Sequence, residues 1–264
     1  MMMVDEKMKT VAVIGFGRFG QMVAEVLSQC FEVYAYNPRD KSKIAKELGI
    51  KFEPSLEKAA GKDIVILSMP ISCLCDVLRD IAPHLKPGAL VLDVCSVKEK
   101  PAMLMKKMLP KDVDIVATHP LFGPSVKVEI VKGKTVYDIA DKKIVLCPVR
   151  TKKLDVGKLK GFLEELGLVV YITTPAEHDR QMAIAQGLTH YIALALRKMG
   201  VGEQDLTTPN FDALIGIIKR LDNDTDVLLK DIQVQNKYAS EQRNIFRKTL
   251  DEVEKDIDGC QNDD

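Results

Sequence analysis

The sequence predicts an α/β fold, a doubly wound sheet followed by an all-α C-terminal part. Three observations carry this. A short apolar run, Val11-Ala12-Val13-Ile14, passes through a glycine-rich turn into a helical stretch. Further apolar runs at 63–69 and 89–95 alternate with helical stretches, the pattern of parallel strands and crossover helices. Beyond Thr173-Thr174-Pro175 every periodic segment is helical.

The opening turn reads Gly15-Phe16-Gly17-Arg18-Phe19-Gly20. Gly15 permits a tight turn, Gly17 leaves the backbone open to a pyrophosphate, and Gly20 lets the helix lie close on the strand. The helix start adds unpaired N–H groups and a partial positive charge. The plain alternative is a structural turn, but the position between a first strand and a helix is the context of a Rossmann-like dinucleotide site. All six residues are candidate cofactor contacts.

The second strand is Glu32 to Tyr36, and Asn37-Pro38-Arg39 follows it. An acid usually stands at this strand end to bond the ribose 2′-OH of NAD. Asn37 beside the cation Arg39 favours a 2′-phosphate, and so NADP, although Asp40 or a water could still serve NAD. Short elements follow at Lys43–Gly49 (helix), Lys51–Pro54 (strand) and Leu56–Ala60 (helix). The strand Asp63 to Met69 ends at Pro70, which puts Ser68, Met69 and Pro70 where a nicotinamide-ribose would lie, outside the carboxyl ends of the strands.

A helix at Ile71–Leu85, a strand at Ala89–Cys95 and a helix at Pro101–Met108 continue the alternation. The strand Asp114–Ala117 then enters Thr118-His119-Pro120-Leu121-Phe122-Gly123-Pro124-Ser125, read as a rigid loop. Residues 126–141 read as a polar surface excursion. Strands at Lys143–Pro148 and Leu168–Ile172 flank a helix at Leu154–Leu166. The expected division is a dinucleotide-binding domain over 1–174 and a helical substrate and dimerisation domain over 175–264. The second part predicts one helix over Ala176–Met199, one over Phe211–Leu221, and a long helix capped near Asp222-Asn223-Asp224-Thr225 and running to about Ile257. Phe246, Leu250, Val253 and Ile257 form an amphipathic stripe that fits a homodimer through these C-terminal helices. The tail GCQNDD reads as frayed.

Composition excludes several classes. Lys+Arg and Asp+Glu are equal at 38 each, which argues against nucleic acid. No apolar run reaches membrane-spanning length, and the charged start is no signal peptide. The six cysteines are scattered, and Cys73 with Cys75 has no second pair to make a metal site. Reduced thiols in a cytoplasmic protein are the expectation.

Two candidate catalytic residues follow from position. His119 stands at a strand end on the expected nicotinamide edge, where a neutral imidazole can take a proton near pH 7. Ser96, at the end of the neighbouring strand, is placed to bond that imidazole or a substrate. The alternative for His119 is a buried loop histidine bonded to backbone. In the helical part, Gln186 and His190 lie four apart inside an apolar stretch and need polar partners, either a ligand or another subunit.

These residues, with Asp93-Val94-Cys95-Ser96-Val97-Lys98, Thr118 to Pro124, His178-Asp179 and Gln186 to His190, occur in an order that resembles the prephenate and arogenate dehydrogenases. The resemblance covers nearly the whole chain. It implies oxidative decarboxylation in tyrosine biosynthesis, of prephenate to 4-hydroxyphenylpyruvate or of arogenate to tyrosine. It also implies that His119 accepts the hydroxyl proton, that Ser96 orients it, and that Gln186, His190 and Arg220 meet the substrate. An arginine fork suits a carboxylate; for Arg220 the alternative is a solvated helix end. Many prephenate-type members carry Ser-His-Leu-Pro-His where this chain has Gln186-Gly187-Leu188-Thr189-His190, which favours arogenate over prephenate. Rival readings are a β-hydroxyacid dehydrogenase or imine reductase, which needs a lysine where Gln186 and His190 stand, and a nucleotide-sensing module, which needs neither His119 nor Ser96.

Overall fold

The structure, a computed structural model, describes residues 9–126, 128–131, 134–221 and 225–260. The chain divides into two compact units, Met1–Pro175 and Ala176–Asp264.

In the first unit the predicted alternation forms β1 (Thr10–Ile14), α1 (Arg18–Ser28), β2 (Glu32–Tyr36), α2 (Ser42–Glu47), β3 (Lys51–Phe52), α3 (Leu56–Ala60), β4 (Ile64–Leu67), α4 (Ile71–Ile81), β5 (Leu90–Asp93), α5 (Glu99–Met108) and β6 (Asp114–Pro120). Then come β7 (Val128–Val131), β8 (Lys134–Tyr137), β9 (Lys143–Arg150), α6 (Val156–Glu165) and β10 (Val169–Ile172). The main sheet has eight strands in the order β10-β9-β6-β5-β4-β1-β2-β3. Strand direction reverses once, where β9 runs antiparallel to β6. The order switches sides at β1 and β4, so the glycine turn after β1 sits at the crevice where α/β sheets take ligands.

Alternate residues of the strands build two cores. Val11, Val13, Val33, Ala35 and Ile66 pack with Phe16 and Ala24 on one face. Ala12, Ile14, Val65, Leu67, Val91, Ile115 and Ala117 face the other way, onto Leu74, Leu78 and Ile81 of α4 and Met105 of α5. Leu74 and Leu78 are fully buried, each contributing about 1.5–3 kcal/mol.

The second unit holds α7 (Pro175–Met182), a π-helical turn at Ala183–Leu188, α8 (Thr189–Lys198), α9 (Pro209–Leu221), α10 (Asp226–Lys230), a second π-helical turn at Asp231–Gln235 and α11 (Ala239–Cys260). Ala193, Ile215, Ile218 and Leu221 form its apolar cluster.

Four expectations are corrected. β6 does not stop at Ala117. It continues through His119 to Pro120, because antiparallel β9 supplies partners (Thr118 opposite Leu146, His119 opposite Val145). Residues 126–141 are not mere excursion: β7 and β8 pair as a hairpin, and the Tyr137 hydroxyl bonds Glu25 on α1. The first long helix is interrupted by the π-helical turn that contains Gln186. The last long helix is two helices. Asn236 leaves the helical region (φ −83°, ψ 109°), its amide nitrogen donates to the Asp179 carbonyl at 2.7 Å, and its side-chain oxygen accepts from Tyr238 N–H at 3.0 Å. Of the expected caps, Asp222, Asn223 and Asp224 lie outside the described residues, as do the first eight residues and the last four of the tail. Thr225 caps α10 by accepting from Leu228 N–H.

Candidate active site

Along the carboxyl edge of the sheet, β6, β5, β4 and β1 are neighbours and parallel. Their ends bring four predicted segments into one row: His119, Ser96, Ser68–Met69–Pro70 and the glycine turn.

The turn is built by exclusion. Gly15 has φ +98°, and a Cβ there would stand 2.1 Å from the Ser68 carbonyl oxygen; at Gly20 it would stand 2.1 Å from the Gly15 carbonyl oxygen. No side chain fits either place. A Cβ at Gly17 would meet nothing within 4 Å. Gly17 is also the N-cap of α1, with no side chain capping the helix and no acid in its first turn. This is open space over a helix N-terminus, the cradle a pyrophosphate requires.

Three of the predicted contact residues also have partners within the chain. Phe16 is fully buried. Its N–H donates to Asn37 Oδ1 at 3.3 Å, and its carbonyl accepts from Gln21 Nε2 and Lys41 Nζ. Phe16 therefore belongs to the frame beneath the turn. Asn37 does too, since its Nδ2 donates to the Arg39 carbonyl at 2.9 Å. Its amide ties strand β2 to the glycine turn. Phe19 meets Phe122 with ring centroids 6.4 Å apart and lines an apolar groove of about 1220 Å³ between α1 and α6. Arg18 and Arg39 are exposed. Lys41, two residues beyond Arg39, brings a second cation to the β2 end.

His119 is buried, at 4% exposure, and Ser96 is half-buried. What joins them is Asp93, the last residue of β5. One carboxylate oxygen accepts from Thr118 N–H at 3.2 Å, the other from Cys95 N–H at 3.0 Å and from the Lys98 ammonium. Thr118 Oγ1 donates to the Asp93 carbonyl, and Lys98 Nζ donates to the Thr118 carbonyl. Asp93 and Lys98 are both at zero exposure. The sequence signal for this pair is an acid and a lysine five residues apart at the end of an apolar strand run, Asp93 and Lys98.

In the second unit, Gln186 and His190 are half-buried, Gln186 within the π-helical turn and His190 in the first turn of α8. Such turns recur at functional sites. Gln233 Nε2 donates to the Gly187 carbonyl at 2.7 Å, and Arg243 bonds Gln233. Arg220 is exposed in the last turn of α9, its Nε folded back onto the Gly216 carbonyl at 3.1 Å. His178 and Asp179 form a buried pair at 2.8 Å. Among the described residues no cluster of His, Cys, Asp or Glu could hold a metal ion, and no helix is long and apolar enough to cross a membrane.

A glycine cradle at the switch point of a doubly wound sheet defines a dinucleotide-binding α/β protein. Residues 26–185 match the nucleotide-binding domain of prephenate dehydrogenase, and residues 174–264 match its dimerization domain. The chain belongs to the prephenate dehydrogenase family. It is 31% identical over 220 residues to a probable arogenate/prephenate dehydrogenase of Methanocaldococcus jannaschii, covering 80% of this chain and 47% of that one. It is 28% identical over 254 residues to the chloroplastic arogenate dehydrogenase 2 of Arabidopsis thaliana, covering 94% and 70%. The crystal structure of prephenate dehydrogenase from A. aeolicus in complex with hydroxyphenyl propionate and NAD+ superposes with a TM-score of 0.74 at 25% identity, covering 96% of this chain and 92% of that one. The chain thus spans about half the length of the M. jannaschii relative.

Proposed function

We propose that the protein is an NADP-dependent dehydrogenase that oxidatively decarboxylates arogenate, with prephenate the competing substrate and NAD the competing cofactor. The observation that carries this reading is the row at the carboxyl edge: a glycine cradle, the Ser68 strand end, Ser96 and a buried histidine. The A. aeolicus complex with NAD+ and a hydroxyphenyl compound supports a nicotinamide cofactor and a six-membered-ring substrate for this chain too.

The cradle of Gly15, Gly17 and Gly20 fits a pyrophosphate, and Ser68 and Met69, at the strand end beside it, would hold the nicotinamide end. When bound, the dinucleotide supplies the hydride acceptor. His119 takes the proton of the ring C4 hydroxyl as the C4–H bond gives up its hydride. The ring carboxylate then leaves as CO2, and the electron pair of its carbon–carbon bond completes the aromatic ring. Ser96 orients the imidazole and the hydroxyl. In the second unit, Gln186, His190 and Arg220 are the residues that the family resemblance offers for substrate binding. Gln186 and Thr189, in place of the Ser and Pro of many prephenate-type enzymes, favour arogenate.

The match to a dimerization domain supports a homodimer through the helical unit, as do Leu250, Val253 and Ile257, each about half exposed on α11. The deciding experiment is a steady-state assay of arogenate and prephenate against NADP and NAD. The reading expects the highest kcat/KM for arogenate with NADP; turnover of neither substrate overturns it.

A further inference from the structure

Lys98 is fully buried five residues beyond the strand end that carries Asp93. Desolvating an ammonium is costly unless it is paired. Here it is paired twice, with the Asp93 carboxylate and with the carbonyl of Thr118. Asp93 in turn holds Cys95 N–H and Thr118 N–H, one with each oxygen. The bonds therefore close a ring through two pieces of chain. One is the 93–98 loop, which carries Ser96; the other is the end of β6, which carries His119. Cys95 and Val97 are buried at 7% and 1% exposure while Ser96 between them is half-buried, so the loop is anchored on both sides of the serine.

A buried ion pair adds little net stability over apolar residues of the same volume, so stability alone does not account for this one. We infer that Lys98 is a positioning residue: through Asp93 and the Thr118 carbonyl it sets the placement of His119 and Ser96 relative to each other. This rests on the proposed role of His119. The needed tolerance is small, since about 1 Å of misplacement can cost about 100-fold in rate.

The test is Lys98→Met, examined as the full chain with NADP and arogenate. Three quantities are read: NADP affinity, the split between kcat and KM, and the imidazole NMR signals of the four histidines in protein labelled at histidine. The His119 signal is assigned by its loss in His119→Asn. Positioning predicts NADP affinity and substrate KM within about threefold, kcat lower by about 10- to 100-fold, and a displaced His119 signal with those of His84, His178 and His190 in place. Lys98→Arg, which keeps a buried cation, recovers part of the kcat. Unchanged kcat and an unmoved His119 signal in folded protein overturn the inference, as does a loss confined to KM. If Lys98→Met does not fold, Asp93→Asn with Lys98→Gln removes both charges together and is read by the same measurements. Should His119→Asn leave turnover intact, the functional reading fails, but the His119 signal still decides whether Lys98 places that ring.

Discussion

Lys98 donates a hydrogen bond to the carbonyl oxygen of Thr118, inside the sheet and one residue before His119. The bond makes the end of β6 and the loop after β5 a single frame. His119 and Ser96 come from different strands, yet each sits one residue from an atom held by Asp93. Precision here derives from strand ends that are themselves hydrogen-bonded, a stiffer mount than a free loop.

The first prediction concerns that histidine. Asparagine at position 119 keeps a polar group of similar size but cannot accept a proton. His119→Asn is expected to bind NADP as the wild type does, by calorimetric titration, while turnover falls by at least about 100-fold, the scale of a lost general base. Wild-type turnover in this variant would remove His119 from the chemistry.

The glycines of the turn separate into two kinds. A methyl group at Gly15 meets the Ser68 carbonyl and an unfavourable positive φ. Gly15→Ala is expected to lower stability by about 1–3 kcal/mol from backbone strain alone and to show this as a reduced Tm. Gly17 has neither constraint. Gly17→Ala should melt like the wild type and lose cofactor affinity, because its methyl group occupies the space left for the pyrophosphate. Equal melting temperatures for the two variants would contradict this division.

Acid sensitivity has one traceable source in Asp63. Partial burial works to raise its carboxyl, but hydrogen bonds from Lys86 and from the N–H and hydroxyl of Thr10 outweigh that and hold it at about 2, against an ordinary 3.8. The folded-state value lies below the unfolded one. The stabilisation is therefore fully present above about pH 5 and is lost as pH falls towards 2. The Asp63 side chain is 34% exposed, so solvent screening limits the effect to about 1 kcal/mol. Asp63→Asn should lower denaturant stability by about that amount at pH 7 and narrow its gap to the wild type between about pH 5 and pH 2.

Much of this is legible in the sequence alone. Apolar runs of four or five residues between helical stretches specify a wound sheet, and glycines in a strand-to-helix turn specify their own backbone. What the sequence hid depended on contacts between distant segments. The length of β6 is set by β9, and no local signal in Thr118-His119-Pro120 shows that pairing. Asn37 reads as a ligand contact from its position, and nothing local shows that it also braces the glycine turn, because its partner Phe16 N–H lies 21 residues away. Asn236 breaks what looks like one helix because the Asp179 carbonyl, 57 residues distant, takes its amide.

That asparagine supports a prediction of its own. Asn236 is buried at 3% exposure and bonds both the Asp179 carbonyl and Tyr238 N–H. Asn236→Ala strips these buried groups of a partner at a cost of about 1–3 kcal/mol. Denaturant unfolding should register that loss, and hydrogen exchange should place it in α7 and at the start of α11. Exchange in β1, β4 and β5 should stay unchanged.

Cofactor choice can be tested by two cations with different duties. Arg39 is exposed at the β2 end, where its guanidinium can fork onto a 2′-phosphate. Lys41 donates at 2.9 Å to the Phe16 carbonyl and so braces the glycine turn itself. Loss of a hydrogen bond to a charged group costs about 1.5–3 kcal/mol, or about 10- to 100-fold in affinity. Arg39→Ala is therefore expected to weaken NADP by that factor and to leave NAD within about threefold, since NAD has no phosphate there to lose. Lys41→Ala loosens the cradle that both cofactors share and should weaken NADP and NAD together. Equal losses for both cofactors in Arg39→Ala would mean that the β2 end does not read the 2′ position.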